Sequence, residues 1–118
     1  MSYRPQRVAD EIRKVISERL IRGLRDPLPG FVTISDVEVN KDFSRAKVYF
    51  SVFGSEADKK GAQEVLDAES KTRRQEVGRK VRLRHTPELI FVLDESAARA
   101  ARIDKHLNAD RVPEDDGE

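Results

Sequence analysis

Between Lys71 and Arg84, seven cations (Lys71, Arg73, Arg74, Arg79, Lys80, Arg82 and Arg84) stand against a single anion, Glu76. Cationic side chains at that density pair with phosphates or carboxylates, and arginine does so through two parallel N–H donors. An ordinary solvated helix mixes signs so that i, i+4 neighbours neutralise one another. This stretch offers almost no internal partner. A second basic set, from Arg4 through Arg7, Arg13, Lys14, Arg19 and Arg22 to Arg25, is opposed only by Asp10, Glu11 and Glu18. Two such elements in 118 residues of formal net charge +1 favour binding to a phosphate backbone, with a steep dependence on salt. Readout would rest on shape and phosphate placement more than on base edges, as is common for structured RNA.

Candidates for catalysis are few. Asp94-Glu95-Ser96 falls where a strand end is expected, and such ends carry chemistry in many α/β folds. A hydrolase built on these three residues is one alternative. No histidine is placed to activate Ser96, so the simpler reading is a helix cap with acids opening the helix. His85, before Thr86-Pro87 in a basic context, reads as a turn residue or phosphate contact. Cysteine is absent and the histidines are His85 and His106, which leaves little for a metal site or a triad. There is no Gly-rich phosphate loop. The expectation is a protein without catalysis, cofactor or metal. Aromatic residues for base stacking are also scarce. Phe31, Phe50, Phe91 and Tyr49 read as core, leaving Tyr3 and Phe43 as exposed candidates, so a stacking platform is disfavoured.

These groups need a scaffold. Pro5 suits a first helical turn, and Val8, Ile12, Val15, Ile16 and Leu20 form one amphipathic stripe. Gly23 and Asp26-Pro27 end that helix, and Leu28-Pro29-Gly30 is a turn. Phe31 to Val39 is the first strand, with a phase slip near Ser35-Asp36 that predicts a β-bulge. Asn40 to Ser44 is a turn cluster. Ala46 to Phe53 is a second, central strand, antiparallel to the first. Ser55 is a candidate N-cap, and Ala57, Ala62, Val65 and Leu66 give a weak helical stripe ending near Ala68. A further helix carries the basic stretch, with Val77 and Val81 as its apolar pair. Leu89 to Leu93 reads as a third strand buried on both faces, reached by a right-handed parallel connection. Ala97 to Leu107 is a small terminal helix. The order is α-β-β-α-α-β, an α+β fold without internal repeat.

Hydrophobic and charged fractions of 37% and 38% describe one modest core beneath a densely charged surface. The segment Asp110 to Glu118 holds five acids and one base, leaving a body of 22 bases and 17 acids. That body is net cationic, so the overall charge understates the affinity for polyanions. No apolar run reaches signal-peptide or bilayer length, and a soluble, cytoplasmic protein is expected. A protein-interaction module whose basic face meets an acidic partner is the second alternative.

Several blocks, in order and spacing, resemble the ribosome-binding factor A family. They are Arg4-Pro5-Gln6-Arg7-Val8-Ala9, Asp26-Pro27, Val32-Thr33-Ile34-Ser35-Asp36-Val37-Glu38-Val39, Lys41-Asp42, Ala46-Lys47-Val48-Tyr49, Arg82-Leu83-Arg84, Pro87-Glu88-Leu89-Ile90-Phe91 and Asp94-Glu95-Ser96. The likeness runs from Arg4 to about Leu107. It implies a single type II KH-like domain with a three-stranded sheet over residues 1–108, followed by an acidic disordered tail over 109–118. It implies a monomeric assembly factor that binds the immature 30S subunit and its 16S rRNA late in maturation and rRNA processing. It also implies a part in cold adaptation and release by a ribosome-associated GTPase. Family members bend their second and third helices at an Ala-x-Gly kink, where this chain has Glu69-Ser70-Lys71. Thr72, Arg73 and Glu76 follow at positions expected to be apolar. The candidate rRNA contacts are Arg4, Arg7, Lys14, Lys41, Arg45, Arg73, Arg74, Arg79, Lys80, Arg82 and Arg84.

Overall fold

The computed structural model describes residues 5–95. Helix α1 spans Pro5–Arg22, strands β1 and β2 span Phe31–Val39 and Arg45–Phe53, helix α2 spans Glu56–Lys80, and strand β3 spans Glu88–Leu93. The sheet order is β1-β2-β3, with β1 antiparallel and β3 parallel to the central β2. Both helices pack on one face of this mixed sheet. The expected terminal helix, Ser96 and the acidic segment lie outside the described residues.

Each boundary has a local cause. Gly23 at φ 107° takes the left-handed conformation just past α1, and its N–H bonds the Arg19 carbonyl at 2.9 Å, a glycine C-terminal cap. Gly30, at φ 71°, turns the chain into β1. The expected bulge is present: the β1–β2 register shifts between Ile34 and Asp36, leaving Ser35 without a partner. The extra residue lets both Ile34 and Val37 reach the core. In the hairpin turn, the Asn40 side-chain oxygen accepts from the Arg45 N–H at 3.0 Å, and Asp42 accepts from the Ser44 N–H at 3.0 Å and its hydroxyl at 2.7 Å. Phe43 sits there at φ 61°, a strained conformation for a residue with a Cβ, costing roughly 1–3 kcal/mol.

Ser55 opens α2 with a reciprocal capping box. Its hydroxyl accepts from the Asp58 N–H at 3.0 Å, while its own N–H donates to the Asp58 carboxylate at 2.9 Å. Replacing Ser55 by alanine is expected to destabilise the fold by about 1 kcal/mol, read as a lower urea midpoint at unchanged slope.

The core gathers Val8, Ile12 and Ile16 of α1 with Ala46, Val48 and Phe50 of β2 and Leu89 and Phe91 of β3. Phe50 is fully buried on the central strand, where such a ring contributes roughly 1.5–3 kcal/mol. Two expectations about apolar residues are corrected. Phe31 is exposed rather than core, because it opens β1 opposite the still more exposed Phe53 on the face the helices leave uncovered. β3 buries one face only: Leu89 and Phe91 enter the core, while Ile90 and Val92 are half-buried on the face the helices leave uncovered.

The two expected helices are a single one. α2 continues without interruption for 25 residues through Glu69-Ser70-Lys71. Helix breaks need a proline, a glycine or a group inserted into the hydrogen-bond ladder, and these residues supply none. Two side chains of α2 reach across to β3 instead. Ser70 donates to the Leu89 carbonyl at 2.8 Å, and Gln63 donates to the Phe91 carbonyl at 2.9 Å. Because Glu88 points its N–H toward β2, bonding the Ser44 carbonyl, the Leu89 and Phe91 carbonyls face the open edge. α2 therefore satisfies the edge of β3 with its own side chains.

Candidate nucleic-acid interface

The buried stripe of α2 is apolar at both ends, with Ala62 and Leu66 before and Val77 and Val81 after, and charged in the middle. Glu69 and Glu76 are 8% and 1% exposed. Glu76 receives three cations. The Arg19 Nη2 lies 3.0 Å from its Oε2, the Lys80 Nζ 3.0 Å from the same oxygen, and the Arg73 Nη1 2.9 Å from its Oε1. The Nε of Arg73 also lies 3.3 Å from the Glu69 carboxylate. Burial pushes the Glu76 carboxyl up, but hydrogen bonds from Arg19 and Lys80 and the charge of Arg73 outweigh it. They hold the group at about 2, below its ordinary 4.5. The same hydrogen bond raises the Arg19 guanidinium. Thr72, Arg73 and Glu76, the departures from an apolar pattern, thus include the joint that ties α1 to α2.

This network divides the predicted contacts. Arg73 is committed to internal carboxylates, with its side chain 12% exposed. Lys80 is half-exposed and shared with Glu76. Arg74 donates twice to the Thr86 carbonyl, at 2.8 and 3.1 Å, and braces the loop that follows α2. Arg79, Arg82 and Arg84 are exposed, and no hydrogen bond or ion pair joins them to another described residue. On α1, Arg7 pairs with Glu11 at 3.5 Å, and Lys14 is exposed two turns further along the same stripe. Lys41 and Arg45 flank the hairpin turn, both exposed. Arg4 lies outside the described residues.

Two distant pieces of sequence meet here. The turn residues Asp42 and Phe43 and the residues Gly78, Val81, Arg82, Leu83, Arg84 and His85 line one open groove of about 670 Å³. Arg82, Arg84 and His85 are exposed along it, while Val81 is buried and Phe43 and Leu83 half-buried. Lys41 adjoins the groove in sequence. Charge counting alone did not separate this subset of cations from the paired ones. The one available signal was the helical spacing of Glu69, Arg73, Glu76 and Lys80, which places all four on one stripe.

The catalytic candidates take structural parts. Asp94 accepts a hydrogen bond from Ser35, 2.7 Å away, across the central strand. Glu95 reaches Lys59 at 3.9 Å. No group of three or more metal-ligating side chains occurs among the described residues. None of the described helices is long and apolar enough to cross a membrane.

The family model for ribosome-binding factor A matches residues 4–107. The chain belongs to the ribosome-binding factor A family. Among its relatives, the ribosome-binding factor A of Desulforamulus reducens is 44% identical over 108 residues, covering 92% of this chain and 90% of that one. That of Brevibacillus brevis is 45% identical over 104 residues, covering 88% and 86%. The crystal structure of ribosome-binding factor A from Thermus thermophilus superposes with a TM-score of 0.66 at 27% identity, over 77% of this chain and 97% of that one. A homology model of the T. thermophilus factor, as fitted into the cryo-EM map of its 30S complex, gives a TM-score of 0.63 at 27% identity, with 77% and 97% covered. The family is one of binding proteins rather than enzymes.

Proposed function

We infer that this protein is a ribosome assembly factor that binds the immature small subunit through its 16S rRNA. The observation that carries this reading is a set of exposed arginines without a partner among the described residues, Arg79 in the last turn of α2 and Arg82 and Arg84 in the loop after it, in a chain of this family. Its structural relative from T. thermophilus was fitted into the map of a 30S complex, which supports the same role here. Lys41 and Arg45 from the hairpin, and Arg7 and Lys14 from α1, extend the cationic surface, and Arg4, just before α1 in sequence, is proposed to join them. The interaction is electrostatic in its main part, so affinity should fall linearly on a logarithmic salt scale.

The finer role proposed is late maturation and rRNA processing, with a part in cold adaptation and release by a ribosome-associated GTPase. Residues 1–108 form the binding domain, of KH-like type, acting as a cytoplasmic monomer, and residues 109–118 an acidic tail. Crosslinking the protein on immature small subunits and mapping the RNA positions tests this directly. Crosslinks from the Arg79–Arg84 segment to 16S rRNA are the expected result. Crosslinks confined to ribosomal proteins would favour instead a module that docks on an acidic protein partner.

A further inference from the structure

We propose that the groove between the β1–β2 turn and the loop after α2 holds one unpaired nucleotide of RNA, its base against Phe43 and Leu83 and its phosphate on Arg82 and Arg84. The proposal rests on the RNA-binding reading above and adds to it the form of RNA recognised. Size is the first argument. A groove of about 670 Å³ has the capacity of a small-ligand pocket and suits a single splayed nucleotide, whereas a duplex rests on a broad surface.

Chemistry is the second. An RNA site that reads only phosphates is cationic throughout. This one has an apolar floor of Phe43, Val81 and Leu83 beneath a rim of Arg82, Arg84 and His85, the combination that takes a base and its phosphate together. The arginines are free of internal partners among the described residues, unlike Arg73 and Lys80. Asp42 adds an acceptor beside them, its carboxyl held below its ordinary value by the hydroxyl and N–H of Ser44. An acceptor-only group repels a phosphate and suits the amino edge of a base.

Backbone strain is the third. Phe43 is the sole non-glycine described residue with positive φ, at 61°. The hydrogen-bonded Asn40–Ser44 turn holds it there, half-buried against the core with part of its ring lining the groove. Strain of this kind tends to be retained where a side chain must be aimed.

The test uses the full chain and short single-stranded ribo-oligonucleotides carrying a fluorescent base analogue that dims on stacking. Wild-type protein is expected to quench the analogue. Phe43→Leu, which keeps an apolar side chain but removes the ring, should abolish quenching and weaken binding about tenfold. Arg82→Gln with Arg84→Gln alters exposed side chains only and should lower the salt slope by about 1.4. Binding without quenching by the wild type, or equal quenching by Phe43→Leu, overturns the groove site and leaves the RNA-binding reading standing. Unchanged oligonucleotide binding by both variants, with weaker subunit binding, assigns the groove to a ribosomal protein and also overturns it. A wild type that binds neither oligonucleotide nor small subunits sinks both readings.

Discussion

Replacing Glu76 by glutamine is expected to destabilise the protein by about 3 kcal/mol near neutral pH. The isosteric amide leaves Arg73 and its neighbours without the counter-charge that justifies their place beneath the surface, and a buried pair broken from one side typically costs 3–5 kcal/mol. The titration of Glu76 gives a similar size. A carboxyl that titrates at about 2 rather than 4.5 corresponds to about 3 kcal/mol of preference for the ionised form in the folded state. The sign follows from that depression: the folded protein binds the proton more weakly than the unfolded chain. The contribution is therefore complete above about pH 4.5 and is lost as pH falls toward about 2. Urea unfolding of wild type and Glu76→Gln at a series of pH values should show the two converging through that window. A constant gap down to the acid limit, or no gap at neutral pH, would remove Glu76 from the centre of the fold's electrostatics.

The second large effect concerns binding. Changing Arg79, Arg82 and Arg84 together to glutamine should weaken association with immature small subunits about 100-fold at moderate salt, taking roughly 1 kcal/mol for each exposed charge. The salt slope should flatten by about 2 to 3. Stability should hardly change, because none of the three is bonded to another described residue. Arg73→Gln is the informative contrast. Its charge lies in the same helix, yet its side chain serves Glu69 and Glu76, so it should lower the melting temperature more than it lowers subunit affinity measured well below that temperature. Co-sedimentation over a range of salt concentrations, with thermal melts of each variant, separates the two classes. Equal binding losses for Arg73→Gln and the triple variant, at equal stability, would erase the division.

Much of the fold was legible in the residues because its signals are local. The stripe from Val8 to Leu20, the Gly23 and Asp26-Pro27 stop, the phase slip at Ser35-Asp36 and the Ser55 cap each act within a few residues, and each appears where expected. The errors arose where an element's environment decides. Phe31 is apolar and at strand spacing, yet lies at the end of the face no helix covers. Ile90 and Val92 alternate with core residues, but the helices cover only one face of the sheet. Glu69-Ser70-Lys71 reads as a junction because its polar residues break the apolar stripe of a helix. In three dimensions Ser70 meets the Leu89 carbonyl 19 residues away and Glu69 meets Arg73 on the next turn, and the helix continues.

The same division applies to function. The charge imbalance around Lys71–Arg84 and the order of the sequence blocks determined by themselves that this is a cationic binding protein of the ribosome-binding factor A family. Counting charges treated all seven cations alike. Only tertiary structure sorted them, because pairing depends on distance. α1 brings Arg19 to Glu76, and the fold turns Arg73 and Lys80 inward to the same carboxylate. It also carries the Asp42–Phe43 turn beside Arg82 and Arg84, some forty positions later in the chain.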